Sequence, residues 1–148
     1  MRSRASGRAF MVAALVGSVL LSMPATAAES NDKTTGLPLH PGLTFQQEVS
    51  SPVCGHAAQM NLYDAPQTAT LAEYVSWYKE HLKGFHHVHK VWSKRAQELF
   101  YNSDGSNGVG LTGSATGPGV FAVSYMKMSV KLTTRQMDAF DPSNPHCK

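Results

Sequence analysis

The two cysteines of the 148-residue chain, Cys54 and Cys147, place the strongest constraint on its fold. In an oxidising compartment an even pair of cysteines most simply forms a disulfide. The bond would join the C-terminal segment SNPHCK to the beginning of the fold and close a loop of roughly 90 residues, provided the two α-carbons lie within about 7 Å. The alternative is a reactive thiol at Cys54, for which His56 would be the nearby base.

The N-terminus indicates the compartment. Three arginines precede an uncharged, mostly apolar stretch from Phe10 to Met23, and the small residues Ala25–Ala28 follow it, as signal peptidase requires. The apolar stretch is shorter than the about 20 residues that span a bilayer, and no later stretch is long enough. We therefore predict a signal peptide at residues 1–27, cleaved after Ala27 or Ala28. The mature chain is expected to be soluble and exported, periplasmic or secreted, without a transmembrane span.

The charge of the chain changes with this cleavage. The formal charge of +3 and the pI near 9.0 suggest a nucleic-acid partner or an acidic surface. Cleavage removes Arg2, Arg4 and Arg8, so the mature chain has ten basic and ten acidic residues. The mature charge is about zero and no basic stripe remains to neutralise phosphates. We expect no nucleic-acid partner.

Hydrophobic periodicity divides the rest of the chain into three parts. Residues 28–36 are polar and aperiodic, which predicts a flexible lead-in. Residues 37–132 contain all the long periodic segments and are predicted to form a single domain. Residues 133–148 are a C-terminal tail that the disulfide would tether.

The clearest element within the domain is an amphipathic helix. Thr70 and Glu73 form a capping box at its start, and Gly84 provides the left-handed stop at its end. Strands surround it, with an Asp-Gly turn at residues 104–105 and a closing helical turn near 134–140. This order predicts an α+β fold, an antiparallel sheet with one main amphipathic helix packed on one face. The predicted strands are 43–49, 58–63 (after a break at SSPVCGH), 88–92, 98–101, 109–112 and 120–132.

Three segments together resemble small exported or lipid-anchored bacterial domains: LPLHPG before a strand, the helix ATLAEYVSWYKEHLKG, and the hairpin LFYNSDGSNGVGL. Those domains combine a P-x-Y-P-G segment, a helix of the form V-x-x-x-Y/F-Y-x-x-x-L and a DG hairpin. His40 stands where they have an aromatic residue, and Trp77-Tyr78 is the aromatic pair of the helix. The resemblance covers residues 37 to about 128. It implies the fold and no functional site, because these domains have no established activity.

The stretch GVGLTG, from Gly108 to Gly113, matches the dinucleotide-binding pattern G-x-G-x-x-G. Such a site needs a helix directly after the glycines, so that the helix N-terminus meets the pyrophosphate. In this chain a loop with Pro118 and a further strand follow instead, and no Lys-Ser/Thr pair completes a P-loop. We expect no cofactor. Gly108 and Gly110 share one face of a strand, where they make room for a neighbouring element.

Four histidines lie within nine positions: His81, His86, His87 and His89. His87 and His89 point to the same side of a strand, and two imidazoles at that spacing can chelate zinc or copper, with His81 or His86 as further ligands. Thioethers would add the soft ligands that Cu(I) prefers (Met60, Met126 and Met128). The alternative is that the histidines are ordinary surface residues and the methionines fill the core.

No acid/base pair, nucleophile or cofactor loop is recognisable, so we predict no catalytic residue and a protein that binds an envelope protein or a small ligand. Trp77 lies off the apolar stripe of the helix and would anchor such a partner; the alternative is its partial burial against a loop. The competing hypothesis is a periplasmic copper- or zinc-binding protein that uses the histidine-rich segment. An enzyme would require a pocket that gathers a histidine, a carboxylate and a hydroxyl.

Overall fold

The computed structural model of the protein describes residues 30–141, 144 and 146–148. The predicted signal peptide and residues 28–29 of the predicted lead-in lie outside the described residues. None of the described helices is long and apolar enough to cross a membrane. The described elements are β1 Ser30–Asn31, β2 Pro38–Leu39, β3 Thr44–Val53, β4 His56–Asp64, α1 Leu71–His81, β5 His86–Trp92, β6 Arg95–Tyr101, β7 Asn107–Ser114, β8 Val120–Met128 and α2 Thr134–Ala139.

Six strands form one antiparallel sheet in the order β3-β4-β8-β7-β6-β5, and β1 pairs separately with β2. Three of the connections are tight turns with a left-handed backbone, one of them between β5 and β6 at Ser93 (φ 56°). Cys54 and Gly55, at φ 51° and 77°, turn β3 into β4 as a two-residue hairpin loop. The predicted Asp-Gly turn joins β6 to β7, with Gly105 at φ 65°. This topology leaves β3 and β5 as the edge strands.

The predicted fold class, an α+β sheet with one main amphipathic helix packed on one face, is wrong. The described structure is mostly antiparallel sheet, with 48% of it in strands, 15% in helices, and two helices instead of one. One cause is that Pro52 does not end β3: an edge strand tolerates a missing N–H, and the pairing with β4 continues as far as Val53. The other cause is α2, which has its own capping box between Thr133 and Gln136.

Each face of the six-stranded sheet has its own core. We call them the α1 face and the α2 face, because successive side chains along a strand alternate between them. The helix predicted from the capping box at Thr70 is confirmed as α1. On the α1 face, that helix packs with Tyr63, Phe100, Val109, Leu111, Val123 and Tyr125. On the α2 face, Met137 of α2 is fully buried with Val53, Met60, Leu99, Tyr101, Met126 and Met128.

The predicted disulfide between Cys54 and Cys147 is confirmed. The two α-carbons lie 4.8 Å apart, and 93 positions separate the cysteines. Both cysteines pack in the core of the α2 face, Cys54 among its buried residues and Cys147 against them. Because neither thiol is free, the alternative of a reactive Cys54 with His56 as its base no longer applies. The bond fastens the C-terminal segment to the β3–β4 turn.

The described part of the predicted flexible lead-in is a turn built around one buried carboxylate. Asp32 is 1% exposed, and its Oδ1 accepts hydrogen bonds from the Tyr63 hydroxyl at 2.6 Å and the Asn61 side-chain amide at 2.8 Å. Its Oδ2 accepts from the backbone N–H and the hydroxyl of Thr35, both at 2.8 Å. A polar segment without apolar periodicity is thus ordered by hydrogen bonds, which composition alone does not reveal.

The glycines of the GVGLTG stretch provide space within the sheet. A Cβ on Gly110 would lie 3.1 Å from Ser124 Oγ and 3.5 Å from Met126 Cε. A Cβ on Gly113 would lie 2.8 Å from Leu71 Cγ, so this glycine lets α1 approach the sheet closely. β8 follows the stretch, and no helix begins there. The glycines therefore lack the helix that a dinucleotide site needs.

Candidate functional site

His87 and His89 of β5 meet the carboxylate of Glu98 on β6. The strand register places His89 opposite Glu98 and His87 opposite Phe100. His87 Nε2 lies 2.6 Å from Glu98 Oε2, and His89 Nδ1 lies 2.5 Å from Glu98 Oε1. Glu98 therefore holds one imidazole with each oxygen. We call these three residues the His–Glu–His cluster.

The cluster combines a buried acid with two more accessible imidazoles. Glu98 is 5% exposed, whereas the side chain of His89 is 55% exposed. The His87 ring stacks on Phe100, with ring centroids 4.4 Å apart and an angle of 5° between the planes. Within the part of the chain that the structure describes, the two histidines are the only hydrogen-bond partners of the Glu98 carboxylate. Burial takes this acid out of water, and the hydrogen bonds from the two imidazoles must compensate for the lost hydration.

A cleft of about 490 Å³ opens beside the cluster, between the start of α1, the β5–β6 hairpin and the loop after β7. His89 and Glu98 form part of its wall. The remaining wall is mainly apolar and is formed by Leu71, Ala72, Val75, Ala96, Ala115 and Pro118. Three hydroxyl groups also line it, those of Thr70, Ser114 and Thr116. A mainly apolar pocket with a few polar groups is the usual form of a small-molecule site.

The cleft does gather a histidine, a carboxylate and hydroxyls, but Ser114 does not form a catalytic triad with His89 and Glu98. Ser114 lies opposite Arg95 on β6, and His89 lies opposite Glu98. The two positions are therefore offset by three residues, about 10 Å along the strands, and are also two strand spacings apart. At that separation the hydroxyl cannot donate its proton to the imidazole directly.

The other predicted metal ligands lie elsewhere. His81 stacks on Trp77 with ring centroids 3.9 Å apart, and its Nδ1 is 2.8 Å from the Trp77 carbonyl oxygen. His86 stacks on Tyr101, which belongs to the α2 face. The three methionines also pack on the α2 face, away from His87 and His89 (Met60, Met126 and Met128). No described group of three or more His, Cys, Asp or Glu side chains is arranged to hold a metal ion.

Trp77, the predicted anchor for a partner, is partly buried by two histidines. Besides the stacked His81, His40 approaches its ring edge-on with centroids 5.0 Å apart. His40 also stacks on Tyr74, with ring centroids 4.1 Å apart. The Gly42 N–H donates to His40 Nδ1 at 3.0 Å. Burial and the nearby His81 lower the pKa of His40, which favours the neutral ring, whose Nδ1 can accept.

Buried tyrosines connect α1 to the sheet beneath it. The hydroxyls of Tyr78 and Tyr125 lie 2.8 Å apart, and Tyr125 donates to the Pro38 carbonyl oxygen at 2.8 Å. Burial raises the pKa of both tyrosines well above the ordinary value, so both stay protonated. These groups are hydrogen-bonded links in the core, and no acid/base role follows from them.

Glu98 was not recognised from the sequence, although the sequence holds a signal for it. It is the only acid in β6, whose residues 96–101 are otherwise uncharged and buried. A two-residue turn at Ser93-Lys94 pairs Trp92 with Arg95, and the same register then pairs His89 with Glu98. Pairing the two predicted strands, 88–92 and 98–101, in this register would have located the cluster.

Comparisons with protein-family models, with curated proteins and with solved structures found no match.

Proposed function

We propose that the protein is an exported, non-catalytic binding protein that takes a small ligand into the cleft beside the His–Glu–His cluster. The observation that supports this most directly is the position of Glu98, a buried acid at the wall of a mainly apolar cleft, with His87 and His89 as its partners. Export is supported by the N-terminal sequence and by the disulfide, because such bonds persist mainly in oxidising compartments.

The cluster selects the chemistry of the ligand. An ionised carboxylate only accepts hydrogen bonds, so both imidazoles donate to it, His89 through Nδ1 and His87 through Nε2. In a neutral His89 the remaining nitrogen, Nε2, then accepts a hydrogen bond. A ligand with an amine or hydroxyl at one end and an apolar body fits this cleft, whereas a ligand with a carboxylate would meet the charge of Glu98.

The first test compares three ligands of equal chain length by thermal unfolding. Hexylamine and hexanol should stabilise the protein, by about 1.4 kcal/mol at ten times the dissociation constant, and hexanoate should not. Val75→Trp, which fills the cleft, should abolish the stabilisation, and His89→Ala should weaken it for both hexylamine and hexanol, because the Nε2 acceptor is lost. His86→Ala is the matched control, because it removes the same side chain from the same strand but on the α2 face. Equal effects of all three ligands would contradict the assignment.

A second candidate function, zinc or copper binding by His87 and His89, is favoured by one observation. A metal-binding histidine commonly donates its other ring N–H to a carboxylate, as both of these histidines can do to Glu98. Protein purified without a histidine tag and loaded with Zn²⁺ or Cu²⁺ should then hold one metal per chain by elemental analysis. His89→Ala should lose that metal and His86→Ala should keep it. Well under one metal per chain in the unsubstituted protein would end this hypothesis.

A further inference from the structure

We propose that one end of the six-stranded sheet binds the surface of an anionic lipid bilayer. This end comprises the start of β3, the end of β4, the β5–β6 turn and the loop between β7 and β8. Three of the four large hydrophobic side chains that are exposed among the described residues lie here: Phe45 (54% exposed), Val91 (55%) and Trp92 (39%). The fourth, Val130, follows β8 at the opposite end of the sheet.

The β5–β6 turn supplies the main contact. All five residues from Val91 to Arg95, which we call the hairpin tip (VWSKR), are exposed. The tip contains two basic residues and no acidic one. Tryptophan favours the boundary between the headgroups and the acyl chains, and each lysine or arginine near an anionic surface strengthens binding. The tip is also held in place, since the Ala115 N–H donates to the Lys94 carbonyl oxygen at 2.9 Å.

The rest of this end suits a flat partner. Phe45 and Trp92 stand on the two edge strands, five strand spacings or about 24 Å apart. The loops between them, 65–69 and 115–119, have no charged residue, so bringing them near lipid requires little desolvation free energy. Of the acids at this end, Asp64 lies on β4, four strands from the tip, and Glu73 accepts the Thr70 N–H at 3.0 Å. The exposed apolar side chains of Phe45 and Trp92, with uncharged loops between them, match an extended planar surface better than a narrow groove.

The test measures co-sedimentation of the processed, exported chain with lipid vesicles at low salt. Vesicles of phosphatidylcholine and phosphatidylglycerol should bind it, vesicles of phosphatidylcholine alone should bind it much more weakly, and high salt should release it. Trp92→Ala should lower the partition coefficient about tenfold and Lys94→Gln about fivefold. In a Trp77→Phe background, the emission of Trp92 should shift to shorter wavelength when anionic vesicles are added.

Matched variants at the opposite end of the molecule serve as controls. Lys83→Gln should change the partition coefficient less than twofold, although it also removes an exposed lysine. Val130→Ser should likewise lower the partition coefficient much less than Val91→Ser does. Absence of binding to anionic vesicles, or equal losses from the tip and control variants, would overturn the proposal. Failure of the ligand test for the cleft would not affect the membrane proposal, because no residue of the tip lines the cleft.

Discussion

Replacing Cys54 and Cys147 together with alanine should lower the free energy of unfolding by about 4–5 kcal/mol. The disulfide joins positions 93 apart, so its loss returns the entropy of a long closed loop to the unfolded chain. For a domain of this size the melting temperature should fall by roughly 10–20 °C. The C-terminal segment should loosen first, since Met137 of α2 packs in the same cluster as Cys54.

Urea unfolding with and without a reductant measures this effect. Reduction of the unsubstituted protein should reproduce the loss, and the double variant should not respond to the reductant. Hydrogen exchange should show that the amides of α2 lose protection before those of β7 and β8. A decrease of less than about 1 kcal/mol would mean that packing alone holds the C-terminal segment, and that the loop-entropy account does not apply to this chain.

Asp32→Ala should lower the free energy of unfolding by about 3–5 kcal/mol at neutral pH. The substitution removes the acceptor for the buried Tyr63 hydroxyl and Asn61 amide and for the donors of Thr35. Buried donors left without a partner are costly, typically about 1–3 kcal/mol each. Asp32→Asn should lose less, because its side-chain carbonyl can still accept from Tyr63 and Asn61, although its amide meets the Thr35 donors.

The contribution of Asp32 should also depend on pH. Burial would raise the pKa of this carboxyl, but the hydrogen bonds from Tyr63, Asn61 and Thr35 outweigh burial and leave the pKa below its usual value. The folded state therefore binds the proton less readily than the unfolded chain does. Its contribution is fully present above about pH 4 and is lost as the pH falls through the folded value. The difference between Asp32→Ala and the unsubstituted protein should shrink in acid; a constant difference would contradict this account.

Local signals explain what was predicted correctly. The capping box at Thr70 and Glu73, the apolar stripe behind it and the Asp-Gly turn each act within a few residues, and each is present in the structure. The disulfide was predictable for a different reason, because two cysteines in an oxidising compartment have only one pairing. The pair His87 and His89 was found as well, since the alternation of a strand places both on one side.

What was missed depends on contacts between distant segments. Pro52 is compatible with β3 only because β3 is an edge strand, and edge position is a property of the assembled sheet. Asp32 is ordered by Asn61 and Tyr63, about 30 positions away along the chain. Glu98 becomes a site residue because the β5–β6 register sets it opposite His89. None of these relations has a periodic pattern in the sequence.

Local signals in the sequence therefore specify the helix, most of the strands, the single disulfide and the chemistry available on β5. These depend on backbone preference, capping and alternation, all of which act over short distances. The tertiary structure decided the rest: a mostly antiparallel sheet with a core on each face, an acid between two histidines and a cleft beside them. Those features arise from strand order and register, which place side chains far apart in the chain within hydrogen-bonding distance.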